Sequence, residues 1–246
     1  MTSPRLRIVS MRDASADECI ASVFGRQPIL IQLPSVYAIF APATESGAAS
    51  LDQCKLRKPG KYYGAGVGDP RAFFNLAPEE PLSRYLLEDQ SNERLRNFSS
   101  DLHGTFIRLT IGPKTFDSKV VCGGTFQGLL YSGVLAEKMQ LMEKLTAAMP
   151  GKLFGEAHGY FCAPIGSSCN MSGDPAGSIT TRDKALAFGR DRGVELCLTL
   201  DDEEGQGGSQ TILGLNHGRV EIHRDGPGSE KSIDSLQRWL RQADQS

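Results

Sequence analysis

The sequence predicts a single α/β domain, and three observations lead to that prediction. The chain has 246 residues, of which 39% are hydrophobic and 23% charged, proportions typical of a globular domain large enough to bury a core. Segments whose apolar residues alternate, as in β-strands, are interspersed with segments whose apolar residues recur every third or fourth position, as in helices. No repeat, low-complexity tract or clear linker divides the chain.

Three strands are expected in the first half of the chain. Residues 28–33 form a short apolar run rich in β-branched side chains, and 36–40 continue it after Pro34, so both predict buried strands. The stretch 62–69 contains three glycines and predicts a flexible loop. Residues 105–111 alternate again and predict the next strand.

The most regular helical pattern covers residues 132–149. Leucine or methionine recurs there every three or four positions, and a proline and a glycine follow it and end the helix. A shorter helix is expected to begin at Thr180 or Thr181, the candidate caps, and to run to Phe188 before Gly189 ends it.

The last expected elements are a strand, a hairpin and a C-terminal helix. Residues 194–200 alternate and predict a strand, and an acidic, glycine-rich turn at 201–208 follows. Residues 211–215 and 219–224 flank a short turn and predict a β-hairpin. Residues 232–242 place their apolar side chains on one side of an amphipathic helix.

Composition and charge argue against several classes of protein. The formal net charge of −2 disfavours a nucleic-acid-binding surface over the whole molecule, although it is compatible with a local basic groove. The six cysteines form no C-x-x-C pair and the four histidines lie apart, so reduced thiols and no zinc site are expected. The N-terminus does not resemble a signal peptide, and the apolar run 28–33 is too short to span a membrane, which predicts a cytoplasmic protein.

Two polar segments carry the candidate chemistry. Lys55, Arg57 and Lys61 place three cations within seven residues, and the segment 168–173 (SCNMSG) follows about a hundred positions later. Because like charges repel, such a cluster is expected to face either open water or an anion. A nucleoside triphosphate is an anion of this kind, since guanidinium and ammonium groups are the usual protein partners of phosphate oxygens.

The order of the polar segments resembles a known family, the YrdC-like threonylcarbamoyl-adenylate synthases, which make the activated carbamate used to modify adenosine 37 of tRNA. The family pattern runs P-T-E-T-V-Y-G-L, K-x-R-x-x-x-K-P-L, S-A-N-x-S-G, S-T-I-V-D and L-R-P-G. The matching segments here are LPSVYAI (33–39), KLRKPGK (55–61), SCNMSG (168–173), QTIL (210–213) and HRDG (223–226).

The resemblance implies a fold and a reaction. The fold is a curved, mixed β-sheet with flanking helices and a positively charged concave cavity, formed by residues 25–230 between an N-terminal extension (1–24) and a C-terminal helix (231–246). In the reaction, an amino acid and bicarbonate form a carbamate, whose oxygen attacks the α-phosphorus of ATP and expels pyrophosphate. Catalysis then depends on positioning and on electrostatic stabilisation, with Mg²⁺ on the phosphates and no metal ligand assigned to the protein.

By resemblance, three groups of residues acquire roles. The phosphate ligands and catalytic cations are Lys55, Arg57 and Lys61. The further nucleotide-binding residues are Ser168, Asn170 and Arg224. The residues on the acceptor side are Ser35, Tyr37, Gln210 and Thr211. Each of two residues also has an alternative interpretation without a nucleotide. Arg224 would then be one more charge on a hairpin, and Asn170 would be a turn residue.

The chain departs from the pattern mainly where the family holds threonine and bicarbonate. Leu33 and Pro34 replace a threonine and a glutamate, Gly66 stands where a histidine is expected, Gln210 replaces a serine, and no V-R-V-P segment is present. Altered polar contacts in a pocket usually mean an altered substrate.

Three functions follow from these departures and stay open at this point. The chain makes threonylcarbamoyl-adenylate with a rebuilt pocket, adenylates a different carbamate or carboxylate, or has lost catalysis. In the last case it binds nucleotide or double-stranded RNA, with Lys58 adding to the cationic cluster, or serves only as an interaction protein.

Overall fold

The computed structural model describes residues 6–155, 158–159, 161–173, 176–200 and 207–246. Most of the turn expected at 201–208 and the first five residues of the chain lie outside this range.

The described residues form ten strands and eight helices. The strands are β1 (Arg7–Ser10), β2 (Ile29–Gln32), β3 (Tyr37–Ala41), β4 (Gly64–Val67), β5 (Phe106–Thr110), β6 (Thr125–Leu130), β7 (Ile165–Ser168), β8 (Leu196–Thr199), β9 (Ile212–Asn216) and β10 (Arg219–Arg224). The helices are α1 (Ala16–Val23), α2 (Glu45–Lys55), α3 (Pro70–Phe74), α4 (Pro81–Glu88), α5 (Glu93–Asp101), α6 (Gly133–Ala147), α7 (Arg182–Asp191) and α8 (Ser229–Asp244). Within the described residues, no helix combines the length and the apolar character needed to cross a lipid bilayer.

All ten strands belong to one mixed sheet, which confirms the predicted α/β class. Their order is β1-β8-β2-β3-β7-β4-β6-β5-β9-β10. The pairs β1–β8, β2–β8, β4–β6 and β5–β9 are parallel, and the other neighbours are antiparallel. Residues 7–23, within the expected N-terminal extension, supply the edge strand β1 and the helix α1 to this sheet and its core.

Each face of the sheet carries its own hydrophobic core because side chains alternate along a strand. On one face, Ile39 of β3 belongs to a core that includes residues of α2, α3, α4, α5, α7 and α8. On the other, its neighbour Phe40 belongs to a core that includes residues of α1 and α6.

The prediction of a flexible loop at 62–69 is wrong, because residues 64–67 form the buried central strand β4. Its glycines permit close packing rather than motion. A Cβ atom on Gly66 would lie 2.5 Å from Met139 Sδ, and one on Gly68 would lie 2.2 Å from the backbone nitrogen of Gln140. Both contacts are with α6, so the absence of side chains lets this helix lie directly on β4.

The other predicted elements are largely confirmed, with two differences. Gly189 lies inside α7, which continues to Asp191. Helix α2 was not predicted from the sequence; it begins at Glu45 among the small residues that follow β3, and its cap Thr44 accepts a hydrogen bond from Gly47 N at 3.0 Å. Lys55 is therefore the last residue of a helix.

The predicted hairpin is present as β9 and β10. Asn216 pairs with Arg219 across a two-residue turn. Both turn residues, His217 and Gly218, have positive φ angles of 49° and 75°, as a tight hairpin turn requires. At the far end of the hairpin, Arg224 pairs with Ile212, the first residue of β9.

Candidate functional site

A cavity of about 300 Å³ lies over the middle of the sheet. Its walls come from β3, β7, β4, β6 and β5, from the segment after α2, and from residues beside β9 and β10. Seven predicted site residues line it: Lys55, Arg57, Lys61, Ser168, Asn170, Gln210 and Arg224. Residues that are far apart in the sequence thus meet at one place.

Three residues predicted on the acceptor side do not line this cavity. Tyr37 is 1% exposed and belongs to the core on the opposite face of the sheet. The hydroxyl groups of Ser35 and Thr211 are buried and have no hydrogen-bond partner among the described residues. Tyr37 faces away from the cavity because side chains alternate along a strand, and its neighbour Ala38 faces the cavity instead.

Lys55 is a buried anchor, only 2% exposed. Its Nζ donates to the carbonyl oxygens of Ser168 and Asn170, the second at 2.6 Å, and lies 3.3 Å from Asn170 Oδ1. Burial lowers the pKa of this ammonium to about 8, and the nearby Arg57 guanidinium adds to the effect. Because its three donors have protein acceptors, Lys55 holds the end of β7 in place.

Arg57 is fixed in orientation by its neighbours. Its guanidinium carbon lies 3.9 Å from the centre of the Tyr63 ring, a cation–π arrangement. Its Nη2 donates to the carbonyl oxygen of Tyr62 at 2.5 Å, and its Nη1 to Ser167 Oγ at 3.4 Å. Tyr63 in turn donates to Asp52 Oδ1 at 2.7 Å. The guanidinium therefore enters the cavity in a defined plane.

Ser168 and Asn170 form a tight turn at the end of β7. Ser168 Oγ donates to Asn170 Oδ1 at 2.6 Å, and the amide nitrogen of Asn170 donates to the carbonyl oxygen of Ser168 at 3.0 Å. Between them, Cys169 N donates to the carbonyl oxygen of Tyr37 at 2.7 Å. Tyr37 thus supports this turn through its backbone.

Arg224 and Gln210 belong to another wall, at β10 and just before β9. Arg224 Nε donates to the carbonyl oxygen of Gln210 at 2.7 Å. Burial lowers the pKa of Arg224, and Arg108 adds to the effect. Gln210 is 7% exposed, and its Nε2 has no hydrogen-bond partner among the described residues. A buried donor of this kind calls for an acceptor from a bound molecule.

The floor of the cavity is apolar. Its side chains are Leu33, Ala38, Phe40, Phe106 and Leu129, which we call the apolar floor. Two glycines make room for its rings: a Cβ atom on Gly166 would lie 2.5 Å from the Phe40 ring, and one on Gly64 would lie 2.6 Å from the Phe106 ring. Larger residues at these two positions would displace the rings.

Sequence reasoning missed several residues around the cavity. Gln127 lines it and accepts a hydrogen bond from Arg108 Nη2 at 2.7 Å. The sequence does contain a signal that could have identified Arg108, because this residue is a cation in the middle of the predicted strand 105–111. Asp52 and Tyr63, which support Arg57, show no comparable pattern.

The lining is cationic. Four of its side chains are lysine or arginine, and among the described residues none is a carboxylate. Such a cavity favours an anionic ligand, since no acidic neighbour neutralises the cations from within.

No protein-family model matches the chain, and a search of curated proteins finds no significant match. Solved structures do match. Two of them are structures of P. abyssi Sua5. One is a doubly substituted form, 17% identical to this chain, and the other is a complex with L-threonine, 16% identical. Each has a TM-score of 0.61. The matches cover 90% and 94% of this chain, which spans 60% of the length of Sua5. E. coli YciO is 13% identical over 92% of this chain and 97% of its own, with a TM-score of 0.53. At these identities the likeness shows the fold.

Proposed function

We propose that this chain, which has the YrdC-like fold, binds ATP and transfers its adenylyl group to the carbamate of an amino acid. One observation carries the proposal: Arg57 and Lys61 converge with Arg224, which is distant from them in sequence, on a cavity whose described lining holds no carboxylate. The complex of Sua5 with L-threonine adds support, because a protein of the same fold holds an amino acid.

The cations divide into one that supports the cavity and three that remain for the nucleotide. Lys55 is committed to Ser168 and Asn170. Arg57 presents a fixed guanidinium, Lys61 is exposed at the rim, and Arg224 donates only its Nε to the protein among its described contacts. Guanidinium groups match phosphate oxygens in pairs, so Arg57 is the main phosphate ligand in this proposal.

The reaction has two steps. The amine of the amino acid attacks the carbon of bicarbonate, and loss of water leaves the carbamate. A carbamate oxygen then attacks the α-phosphorus of ATP while the bond from that phosphorus to the bridging oxygen breaks, releasing pyrophosphate. The cations stabilise the negative charge on the phosphoryl oxygens, and the protein supplies no covalent nucleophile.

Mg²⁺ is expected to accompany the nucleotide. No group of three or more His, Cys, Asp or Glu side chains that could hold a metal occurs among the described residues. The phosphates would therefore be its main ligands, and the bound ion would neutralise part of their charge.

The proposal is tested by nucleotide binding to an Arg57→Ala variant. Loss of one charge-assisted contact costs about 1.5–3 kcal/mol, so ATP affinity measured by calorimetry should fall roughly ten- to a hundredfold. Arg84→Ala is the matched control, because the Arg84 side chain is 63% exposed and its one polar contact among the described side chains is an ion pair at 3.6 Å with Glu79. ATP binding by Arg57→Ala at wild-type strength contradicts the assignment of this site.

Turnover is tested separately by pyrophosphate release from ATP and Mg²⁺. The proposal requires release that depends on both bicarbonate and an amino acid and that is lost in Arg57→Ala. A protein that binds ATP but releases no pyrophosphate with any of the common amino acids is not the enzyme proposed.

A further inference from the structure

The cavity joins two surfaces of different chemistry, and their combination points to a class of acceptor. We propose that the amino acid is one with an apolar side chain, of the size of valine or leucine, rather than a hydroxylated one. This inference rests on the proposed function. Its basis is the apolar floor, which lies beside the cations and Gln210 in one cavity.

The apolar floor is continuous across the sheet. Phe40 of β3 pairs with Gly166 of β7, which pairs with Gly64 of β4. Further along, Leu129 of β6 pairs with Phe106 of β5. Because the glycines contribute no side chain, the Phe40 ring lies against Gly166 and the Phe106 ring against Gly64. The surface offered to a ligand there is hydrocarbon.

Two polar groups next to the apolar floor, the Ser168 hydroxyl and the Gln127 amide oxygen, already have protein partners. Ser168 Oγ donates to Asn170 at 2.6 Å, and Gln127 Oε1 accepts from Arg108 at 2.7 Å. A ligand hydroxyl on this surface would give up its hydrogen bonds to water without regaining them, which is unfavourable. A methyl group in the same position would lose nothing.

Gln210 and Arg224 would orient the rest of the acceptor. The unpartnered Nε2 of Gln210 belongs to the same wall as Arg224, whose Nε holds the Gln210 backbone. An amide donor beside a guanidinium suits a carboxylate. With its carboxylate at this wall, the amino acid would place its side chain on the apolar floor and its amine toward the nucleotide.

L-valine and L-threonine make a matched pair for the test, since they have the same shape and differ by one methyl for one hydroxyl. Calorimetry is done on the whole chain in bicarbonate buffer, first with α,β-methylene-ATP alone and then with each amino acid at a saturating level of that analogue. Valine is expected to bind ten- to a hundredfold more tightly than threonine.

Each outcome has a distinct meaning. Failure to bind the ATP analogue overturns the proposed function itself. If the analogue binds, three results overturn the apolar acceptor and leave the nucleotide site standing. These are equal affinities for valine and threonine, a preference for threonine, and no binding of valine.

A variant of the apolar floor tests the location. Ala38→Ser adds one hydroxyl beside Ser168, its partner across the β3–β7 pair, and should shift the ratio of valine to threonine affinity toward threonine by at least about threefold. Ala136→Ser makes the same change on α6, outside the cavity lining, and should keep the wild-type ratio. A wild-type ratio in folded Ala38→Ser shows that the side chain does not rest on this floor.

Discussion

Lys55 and Lys61 belong to the same basic cluster, yet their surroundings differ. Lys55 is buried, and its ammonium lies among the acceptors of Ser168 and Asn170, whereas Lys61 is exposed at the rim of the cavity. At the scale of the residue, one lysine supports the site and the other is available to a ligand. Sequence spacing cannot separate these roles, because both residues have the same charge and length.

Replacing each lysine with methionine should separate stability from binding. Lys55→Met leaves two buried carbonyl oxygens without their charged donor, so the free energy of unfolding should fall by about 2 kcal/mol. Lys61→Met should change it by less than about 0.5 kcal/mol while weakening ATP binding. Urea denaturation and calorimetry measure both effects. Equal stability of the two variants would contradict the anchoring role of Lys55.

At the scale of the element, β4 shows how a glycine-rich sequence forms a central strand. It pairs with β6 on one side and β7 on the other, and α6 lies across it. Glycine is usually unfavourable in a strand because of its conformational entropy. Here the close approach of α6 requires it, which local propensity does not indicate.

Gly68→Ala tests this packing. The added methyl would meet the backbone of α6 at 2.2 Å from Gln140 N, and backbone cannot rotate away as a side chain can. The variant should be destabilised by about 1–3 kcal/mol. Gly155→Ala is the control, since no atom of the described residues lies within 4 Å of its Cβ position and its φ is not positive. A Gly68→Ala protein as stable as Gly155→Ala would mean that α6 does not lie against β4.

At the scale of the whole molecule, Glu143 ties α6 to the sheet. Its Oε1 accepts a hydrogen bond from Gly68 N at 2.9 Å. Burial raises the pKa of this carboxyl from 4.5 to about 7, with the Asp69 charge adding to the rise and the backbone N–H groups of Gly68 and Asp69 opposing it. The folded protein thus holds a proton there that the unfolded chain releases at lower pH.

This raised pKa gives a pH dependence of known sign. The stabilisation by the protonated carboxyl is fully present below about pH 4.5 and is lost as the pH rises through about 7. Relative to Glu143→Gln, which keeps the acceptor and does not titrate, the wild-type protein should lose about 3 kcal/mol of stability between about pH 4 and pH 8. Urea denaturation of both proteins across this range is the measurement. If the stabilities of the two proteins changed in parallel with pH, the Glu143 carboxyl would be solvated rather than buried.

Local patterns in the amino-acid sequence were enough to predict the α/β class, most of the strands, the long helix α6 and the hairpin of β9 and β10, because each depends on periodicity or turn chemistry. The five short motifs in their order also predicted the YrdC-like fold, which is confirmed. The same order indicated seven residues that line one cavity. Their roles toward ATP, the carbamate and RNA remain predictions.

Only the tertiary structure decided which of the predicted residues face the cavity and what surrounds them. Tyr37 lies on the other face of the sheet, Lys55 is bound by acceptors 113 and 115 positions away, and the apolar floor is assembled from strands that are neighbours only in space. The physical reason is common to all three. Burial, hydrogen-bond partners and the neighbouring surface are set by residues distant in the chain, so no local pattern contains them.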